Sequence, residues 1–463
     1  MPASTESRHG MWSSRWLFVL AAAGSAVGLG NIWKFPYLAG ENGGGAFVLI
    51  YLACIAIIGV PIMMGEVLLG REGRQSPINT MRALVQQHHR HPAWVLIGWM
   101  GVVAGFLILS YYVVIAGWSL FYIIEMARGG MTGATGEFAA ASFESFLQSP
   151  WELVLWQTLF MAGTVYIIAR GVLKGLEAAI RWFMPLLFVL MFVLLGYAMT
   201  TEGFRQGFEF MFAFNWEDVS GGTVLVAMGQ AFFTLSLGMG AIMAYGAYVP
   251  SSASIGGTIG IIAALDTLVA LTAGLVIFPI VFTNGLEPSQ GPGLMFVTLP
   301  LAFGNMPVGA LFGTLFFMLV SFAAITSAIS ISEPALAYLV ETYNAKRARV
   351  AISLGVISWL LGLGTVFSFN IWSDVHVDGQ RTFFDFVDHV SQNIMLPLGG
   401  MLIALFAAWC LPRTVIGAQL GLQSDWGHLL WKLTCGIIAP LGVLVVFLAQ
   451  WEPVRNLVSA FTQ

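Results

Sequence analysis

Long apolar runs, separated by short polar connections, dominate the sequence. A helix needs about 20 apolar residues to cross the hydrocarbon core of a bilayer. Eleven runs reach this length, with predicted bounds 12–38, 43–70, 93–125, 150–169, 174–200, 221–250, 255–283, 306–342, 348–369, 385–411 and 427–450. The pattern predicts an all-α polytopic membrane protein with about eleven transmembrane helices.

Two of these runs are interrupted. Gly24–Asn31, in the first run, contains three glycines, and Thr234–Gly240 interrupts the sixth run in a similar way. An interior glycine costs a helix roughly 0.5–1 kcal/mol relative to alanine, and unwound backbone is tolerated in a bilayer only against protein or a water-filled cavity. Paired interruptions in two halves of a chain indicate the binding site of a secondary transporter. We therefore predict that helices 1 and 6 unwind at mid-membrane.

The composition excludes a soluble globular protein. Only 9% of the 463 residues are charged, against about 25% in a soluble domain. Cys54, Cys410 and Cys435 all lie in apolar runs, so we expect free buried thiols and no disulfides. The first eleven residues are polar and lack a signal-peptide pattern, so 1–11 is interpreted as a cytoplasmic N-terminal segment.

The distribution of Lys and Arg predicts the orientation, because these residues concentrate on the cytoplasmic side. Most of them fall on the side of the N-terminus, which is therefore predicted to be cytoplasmic. An odd number of spans then places the C-terminal tail outside. The histidines in 71–92 are interpreted as part of a solvated loop rather than a metal site, and 129–148 and 284–300 as external loops.

Ionisable residues at membrane depth are candidates for function. In this chain they are Lys34, Glu66, Asp266, Glu333, Glu341, Asp385 and Asp388. A carboxylate in the seventh run needs a cation or a proton, and oxygen ligands of this kind suit a hard cation such as sodium. A protonated Asp266 bonded to a neighbouring helix is the alternative.

Three further interpretations concern pairs of groups. Lys34 and Asp385 are predicted to form a latch at the outer ends of their helices, or else to be two unrelated charges. Glu66 is expected to accept hydrogen bonds from free amides of the broken helices. Thr326 and Ser327 either bond back to their own helix or face the unwound carbonyls near Gly24.

These stretches together resemble the neurotransmitter:sodium symporter family, whose reference fold is the bacterial leucine transporter. The resemblance rests on Gly24–Pro36 (GSAVGLGNIWKFP), Glu41–Gly45 (ENGGG), Tyr111–Tyr112, Gly229–Gly240 (GQAFFTLSLGMG) and Ala324–Ser327 (AITS). Eleven spans and the Met in SLGMG are most similar to bacterial members that carry hydrophobic and aromatic amino acids.

The resemblance implies a single transmembrane domain built on an inverted repeat. Residues 12–200 (helices 1–5) would match 221–411 (helices 6–10), with 427–450 as helix 11 outside the repeat. Two sodium ions and one zwitterionic amino acid would bind between the halves, with no organic cofactor. The first ion would contact Ala26, Asn31, Thr234 and Asp266. The second would contact the carbonyls of Gly24, Val27 and Ala323 and the hydroxyls of Thr326 and Ser327.

The resemblance also implies a substrate site. The carboxylate of the amino acid would bind the amides of Leu29 and Gly30, which lie at a helix N-terminus, and the Tyr112 hydroxyl. The other implied contacts are Ser25, Ala26, Ile108, Phe233, Thr234, Ser236, Met239, Ser327 and Ile331. Lys34, Tyr112, Phe233 and Asp385 would form an outer gate, and Arg8, His9, Trp12, Tyr248 and Glu341 an inner gate.

Several positions depart from the family pattern. Asp266 stands where many members have Asn, and Ala270 where animal members bind chloride through a Ser, so we expect chloride-independent transport. Lys34 replaces an Arg and lacks its planar fork. His9 occupies the position of the inner-gate Arg, so either Arg8 or His9 would pair with Glu341.

Two smaller differences lie in the substrate site. Ser25 replaces an Asn of the leucine transporter, and Met239 replaces an aromatic ring. Methionine is unbranched and adaptable, so the side-chain pocket is expected to admit larger amino acids.

The sequence thus predicts a sodium-coupled symporter of hydrophobic and aromatic L-amino acids in a bacterial inner membrane. Its partners would be the substrate and the lipid bilayer, without nucleic acid, and no residue pattern favours a particular oligomer. A proton-coupled transporter that uses Asp266 or Glu333 is one alternative, and an amino-acid sensor or channel is another. No catalytic constellation is present in the sequence, so an enzyme is not expected.

Overall fold

The structure is a computed structural model that describes residues 15–171, 175, 177–250, 253–288 and 293–450. Within these ranges every regular element is helical, as the apolar pattern predicts. The predicted gate residues Arg8, His9 and Trp12 lie outside the described residues, as do the N-terminal segment 1–11 and the C-terminal tail.

Eleven membrane helices run through the described residues. Nine are long and apolar enough to cross a membrane, and the two others are interrupted where the glycines fall. In chain order they are α1 (Arg15–Ala26, Gly30–Lys34 and Phe35–Glu41), α2 (Gly45–Gly73), α3 (Pro92–Ala127), α4 (Pro150–Ala169), α5 (Ala178–Met199), α6 (Gly221–Thr234 and Ala241–Gly246), α7 (Ile255–Thr283), α8 (Gly309–Tyr343), α9 (Arg347–Ser368), α10 (Phe383–Cys410) and α11 (Asp425–Val445).

Several connections contain short helices that the polar composition alone does not indicate. The histidine-rich connection begins with the helix Pro77–Gln87, and the predicted external loop 129–148 contains Gly136–Leu147. Residues 284–300 end in the helical turns Leu294–Thr298 and Leu299–Gly304. These helices are amphipathic or apolar on one side, so they form by packing against the bundle.

The interrupted helices lie at the centre of the bundle. Helix α8 is the most buried of the long spans and packs along α3, α5 and α1. A hydrogen bond of 2.8 Å between Ser119 and Ser321 joins α3 to α8 within this core. The broken segments of α1 and α6 are thereby enclosed by protein on every side, as unwound backbone in a bilayer requires.

Small residues allow the helices around α6 to approach closely. A Cβ added at Gly70 of α2 would lie 2.0 Å from the carbonyl oxygen of Met243 in the second half of α6. Backbone cannot yield at this distance, so only glycine fits. The second half of α6 is therefore held against α2 by direct backbone contact.

Gly70→Ala is expected to lower the stability of the folded protein, because overpacking costs about 1–3 kcal/mol. Gly196→Ala on α5 is the matched control, since an added Cβ meets no atom within 4 Å there. The measurement is the thermal unfolding midpoint of each purified variant in one detergent. Equal midpoints for Gly70→Ala and the wild type would contradict the close contact between α2 and α6.

Candidate substrate and sodium site

The break in α1 covers Val27 and Gly28. The α-helix ends at Ala26, and the chain continues as a π-helical turn from Gly30 to Lys34. The amide of Gly28 donates to the side-chain oxygen of Asn31 at 3.0 Å. The side chain of Asn31 thus replaces a backbone acceptor that the interrupted helix no longer supplies.

The break in α6 follows Thr234 and is fixed by left-handed backbone. Ser236, Gly238 and Gly240 have φ angles of 54°, 82° and 75°, a conformation that glycine adopts without strain. A Cβ at Gly238 would also lie 2.2 Å from the carbonyl oxygen of Leu396. The helix therefore cannot continue through this segment, and it resumes only at Ala241.

Side chains from other helices bind the polar backbone groups that the breaks release. Fully buried Glu66 of α2 accepts a hydrogen bond of 2.6 Å from the amide of Gly238. Gln230 of α6 donates to the carbonyl of Gly30 at 2.7 Å, and Ser236 donates to the carbonyl of Ser25 at 3.0 Å. The two breaks are therefore joined to each other and to α2.

A buried polar cluster connects α1, α6 and α7. The Asn31 amide nitrogen donates to Thr234 Oγ1 and to Asp266 Oδ1, each at 2.8 Å. The Thr234 hydroxyl lies 3.1 Å from both carboxylate oxygens of Asp266. Asn31 and Asp266 are fully buried, and Thr234 is almost so. The cluster offers a carboxylate and a hydroxyl, which are oxygen ligands that a hard cation takes, whereas Asn31 faces it with its amide nitrogen.

The two adjacent hydroxyls on α8 behave differently: one bonds back to its own helix and the other faces the unwound carbonyls of α1. Thr326 bonds back to its own helix, at 3.0 Å to the carbonyl of Ala323 and 3.2 Å to that of Phe322. Ser327 instead reaches α1, at 3.1 Å from the carbonyl oxygen of Val27 and 3.4 Å from that of Gly24. The α8 hydroxyls and the unwound α1 carbonyls therefore lie side by side.

A small enclosed cavity of about 20 Å³ lies between the two breaks. All but one of the predicted substrate contacts line it, the exception being Thr234, which belongs to the Asp266 cluster. The lining consists of Ser25, Ala26, Gly28, Leu29, Gly30, Ile108, Tyr112, Phe233, Ser236, Met239, Ser327 and Ile331.

Gly28 is the one lining residue absent from the predicted contacts. A Cβ at this position would lie 2.4 Å from Ser327 Oγ and 3.0 Å from the Tyr112 hydroxyl. Any side chain would therefore fill the cavity. The signal in the sequence is the placement of Gly28 between Val27 and Leu29, two residues already assigned to the ion and the substrate.

A vestibule of about 350 Å³ lies next to the cavity. Leu29, Tyr112 and Phe233 line both spaces, so these side chains form the wall between them. The Leu29 amide donates to the Tyr112 hydroxyl at 3.4 Å, and the Lys34 ammonium lies 4.6 Å from the centre of the Phe233 ring. Tyr112, Phe233 and Lys34 thus meet where the predicted outer gate would be.

The predicted pair between Lys34 and Asp385 is not formed in this structure. The Lys34 ammonium donates to Gln392 at 2.6 Å, and Gln392 in turn donates to Asp388 and to the Tyr111 hydroxyl. Asp385 lies in the first turn of α10 and accepts a hydrogen bond of 2.7 Å from Thr382. Asp385 is therefore bonded to Thr382 at the start of its own helix. Asp388, one turn deeper, is the carboxylate connected to Lys34 through Gln392.

The carboxylates at the opposite end of α8 have separate partners. Glu333 is fully buried and forms an ion pair with Arg347, at 3.0 and 2.6 Å, and the Tyr248 hydroxyl donates to it at 3.2 Å. Glu341 accepts from the amide of Ser76 at 2.9 Å. Tyr248 is thus hydrogen-bonded to Glu333, and it also lies within electrostatic range of Glu341, near which it is predicted to lie.

The arrangement of two broken helices around a buried carboxylate matches a known family. The sequence pattern that describes the Sodium:neurotransmitter symporter family matches residues 9–135 and 137–456. The chain belongs to this family.

Relatives and a solved structure extend the match over nearly the whole symporter chain. A sodium-dependent transporter, YhdH of Bacillus subtilis (strain 168), is 38% identical over 96% of this chain and 98% of its own length. A sodium-dependent transporter of Haemophilus influenzae is 31% identical over 95% of this chain and 97% of its own. The crystal structure of MhsT in complex with L-phenylalanine is 44% identical, with a TM-score of 0.88, and covers 96% of this chain and 100% of that one.

These matches establish the coarse properties of the symporter. It is an integral membrane protein of a sodium-dependent transporter family, with a helical fold shared with MhsT. The family transports its substrates and does not transform them chemically.

Glu66→Ala is expected to destabilise the protein, because it leaves the Gly238 amide without its acceptor inside the bundle. Leaving a buried donor unpaired costs about 1–3 kcal/mol. Glu66→Gln is the matched control, since its side-chain oxygen retains the acceptor. The thermal unfolding midpoint should fall clearly for the alanine variant and much less for the glutamine variant. The same loss in both variants would contradict an acceptor role and would point to the charge instead.

Proposed function

We propose that this protein is a sodium-coupled symporter that imports hydrophobic and aromatic L-amino acids by alternating access. The observation that carries the proposal is the enclosed cavity between the breaks of α1 and α6, with the Asn31–Thr234–Asp266 cluster on the same broken segments. One small space thus offers amides and a hydroxyl for a carboxylate, carbonyls for an ammonium, and oxygens for a cation.

The substrate carboxylate would bind at the start of the second part of α1. The amides of Leu29 and Gly30 carry the partial positive charge of a helix N-terminus. The Tyr112 oxygen accepts from the Leu29 amide, so its own proton is available to a carboxylate. The ammonium group would contact the carbonyls of Ala26, Phe233 and Ser236, which lie next to the breaks of α1 and α6.

An apolar side chain would extend between α3, α6 and α8. Ile108, Met239 and Ile331 line this part of the cavity. The present volume of about 20 Å³ accommodates roughly one water molecule, so an amino acid must displace flexible side chains. Met239 is suited to this, since methionine is unbranched. L-Phenylalanine bound to MhsT supports a preference for aromatic substrates.

Two sodium ions are proposed at the positions given by the resemblance. The first would lie among Asn31, Thr234 and Asp266, with the Ala26 carbonyl and the substrate carboxylate. Rotation of the Asn31 amide would turn its oxygen toward the ion in place of the nitrogen, and the ion would then replace the hydrogen bond that this oxygen now accepts from Gly28. The second would lie between the α1 carbonyls of Gly24 and Val27, the Ala323 carbonyl, and the hydroxyls of Thr326 and Ser327. The Ser327 hydroxyl already lies 3.4 Å from the Gly24 carbonyl oxygen and 3.1 Å from that of Val27.

Chloride is proposed to be unnecessary for transport. Asp266 supplies a fixed negative charge beside the first ion, and Ala270, one turn further along α7, is fully buried and carries no polar group. A chloride ion at this place would lie near the Asp266 carboxylate. Repulsion between like charges in a poorly screened interior disfavours that arrangement.

Coupling would follow from the shared ligands. If the substrate carboxylate contacts the first ion, each ligand raises the affinity of the other by the same factor. The charge that crosses the bilayer would make transport electrogenic, at about 2.3 kcal/mol per elementary charge per 100 mV. With a cytoplasmic N-terminus in a bacterial inner membrane, the vestibule would face outward, closed from the cavity by Tyr112 and Phe233.

Proton coupling is the principal competing mechanism. Glu333 is a poor proton carrier in the present arrangement, because it is paired with a guanidinium that stays charged. Asp266 accepts hydrogen bonds from two side chains, the Asn31 amide and the Thr234 hydroxyl, so it is the carboxylate at which a sodium ion and a proton would compete.

The test is uptake of radiolabelled L-phenylalanine into proteoliposomes that contain the purified protein. An inward sodium gradient at equal internal and external pH should drive accumulation, and an interior-negative potential should increase it. Replacement of external chloride by gluconate should leave the rate unchanged.

Three results would contradict the proposal. Accumulation driven by a pH gradient in the absence of sodium would indicate proton coupling, and loss of uptake in gluconate would refute chloride independence. Dissipation of the sodium gradient without accumulation of the amino acid would indicate a channel. Competition by a panel of unlabelled amino acids in the same assay measures the substrate preference.

A further inference from the structure

A further cavity lies at the periphery of the bundle, between the end of α10 and the start of α11. Its volume is about 220 Å³, where roughly 10–15 Å³ on the same measure holds one water molecule. It lies remote from the substrate cavity and shares no lining residue with it. The residues that matter for its chemistry are Trp409, Arg413, Asp425, His428, Trp431 and Lys432.

The cavity carries an excess of positive charge. Arg413 and Asp425 contact each other and so neutralise one another. The Lys432 ammonium lies 4.9 Å from the centre of the Trp409 ring, and no carboxylate of the described chain lies within ion-pair distance of it. The cavity therefore holds one uncompensated fixed cation.

An unpaired hydrogen-bond donor lies in the same wall. Trp431 is 5% exposed, and its indole nitrogen makes no hydrogen bond to any described group. Buried indole N–H groups usually find an acceptor. A basic cavity that also contains an unpaired N–H suits an anionic group with several acceptor oxygens.

The surroundings of the cavity identify the source of that anion. Trp409 and Leu429 line the cavity and are 50% and 55% exposed, and Trp426, which follows Asp425 in the chain, is 65% exposed. Tryptophan is characteristic of the membrane–water interface. Arg90, which donates to the carbonyl of Cys410 at 2.7 Å, shows that this end of α10 lies at the basic face of the bundle.

We propose that this cavity binds the phosphate of an anionic phospholipid headgroup. Lys432 and Arg413 would contact the phosphate oxygens, the Trp431 indole would donate to one of them, and the acyl chains would lie along the exposed apolar residues of α11. Basic pockets between membrane helices on the cytoplasmic side bind anionic headgroups in this manner. The proposal depends on the fold alone and is independent of the transported substrate.

Native mass spectrometry of the purified, delipidated full-length protein tests this site. Palmitoyl-oleoyl phosphatidylglycerol or the corresponding phosphatidylcholine is added, and the bound lipids are counted. The wild type should retain phosphatidylglycerol in preference to phosphatidylcholine. Arg413→Gln/Lys432→Gln should retain phosphatidylglycerol roughly thirtyfold less tightly, the scale expected for two basic contacts. Its thermal unfolding midpoint, measured in the same detergent, checks that it is folded.

Lys346→Gln/Arg349→Gln is the matched control, since it removes two exposed basic residues beside α9 and leaves the cavity unchanged. It should bind like the wild type. Equal retention by the cavity variant and the wild type, or equal loss in the control, would overturn the proposal. Binding of inorganic phosphate with displacement of phosphatidylglycerol would identify a free anion as the ligand and would equally overturn the lipid assignment.

Discussion

Backbone polar groups inside a bilayer must find partners within the protein, because the hydrocarbon core offers none. Interrupting two helices at mid-membrane leaves such groups without helical partners where no water is available to bind them. In this protein side chains provide those partners. At the α6 break Glu66 accepts from the Gly238 amide. At the α1 break Gln230 donates to the Gly30 carbonyl and Asn31 accepts from the Gly28 amide. The rest of the bundle encloses these contacts, and the unwound segments depend on them.

The same constraint accounts for the chemistry of the site. Backbone groups that are not committed to a helix remain available to a ligand, and here they face a cavity shared by α1, α6, α3 and α8. Asp266 adds a negative charge that would be costly to bury without a compensating group. An ion and a zwitterion are well suited to such a place, because together they satisfy the carboxylate, the carbonyls and the amides.

The vestibule side of the cavity and the opposite end of α8 are closed in different ways. A thin wall of Tyr112 and Phe233 separates the cavity from the vestibule, whereas the ion pair between Glu333 and Arg347 lies within packed protein. The barrier on the vestibule side is therefore one layer of side chains. At the opposite end of α8, buried charges join α8 to α9.

Much of this architecture follows from local sequence. Apolar length predicts the spans, and glycine clusters predict both breaks, since each acts within one helix. The buried position of Asp266 follows from its place in an apolar run. The sequence alone does not distinguish Asp388 from Asp385, because both carboxylates lie near the start of α10 and only the three-dimensional approach of Gln392 favours the deeper one.

Other features depend on contacts between distant segments and carry no local signal. The ion pair of Glu333 with Arg347 joins α8 to the start of α9, and either residue alone resembles an ordinary charge near a helix end. The helix Gly136–Leu147 forms by packing inside a connection whose composition is that of a loop. Gly28 is recognised as a lining residue only once Ser327 and Tyr112 are seen beside it.

The central claim is that a cation and an amino acid occupy the cluster around Asp266 together. Equilibrium binding of L-phenylalanine to the purified protein, measured over a range of sodium concentrations at constant ionic strength, tests it most directly. Sodium should raise the affinity of the wild-type protein for L-phenylalanine. The Asp266→Asn variant should need a sodium concentration at least roughly tenfold higher than the wild type for the same rise in affinity, within the range typical of coupled sites. An affinity independent of sodium, or an identical sodium dependence in the two proteins, would contradict it.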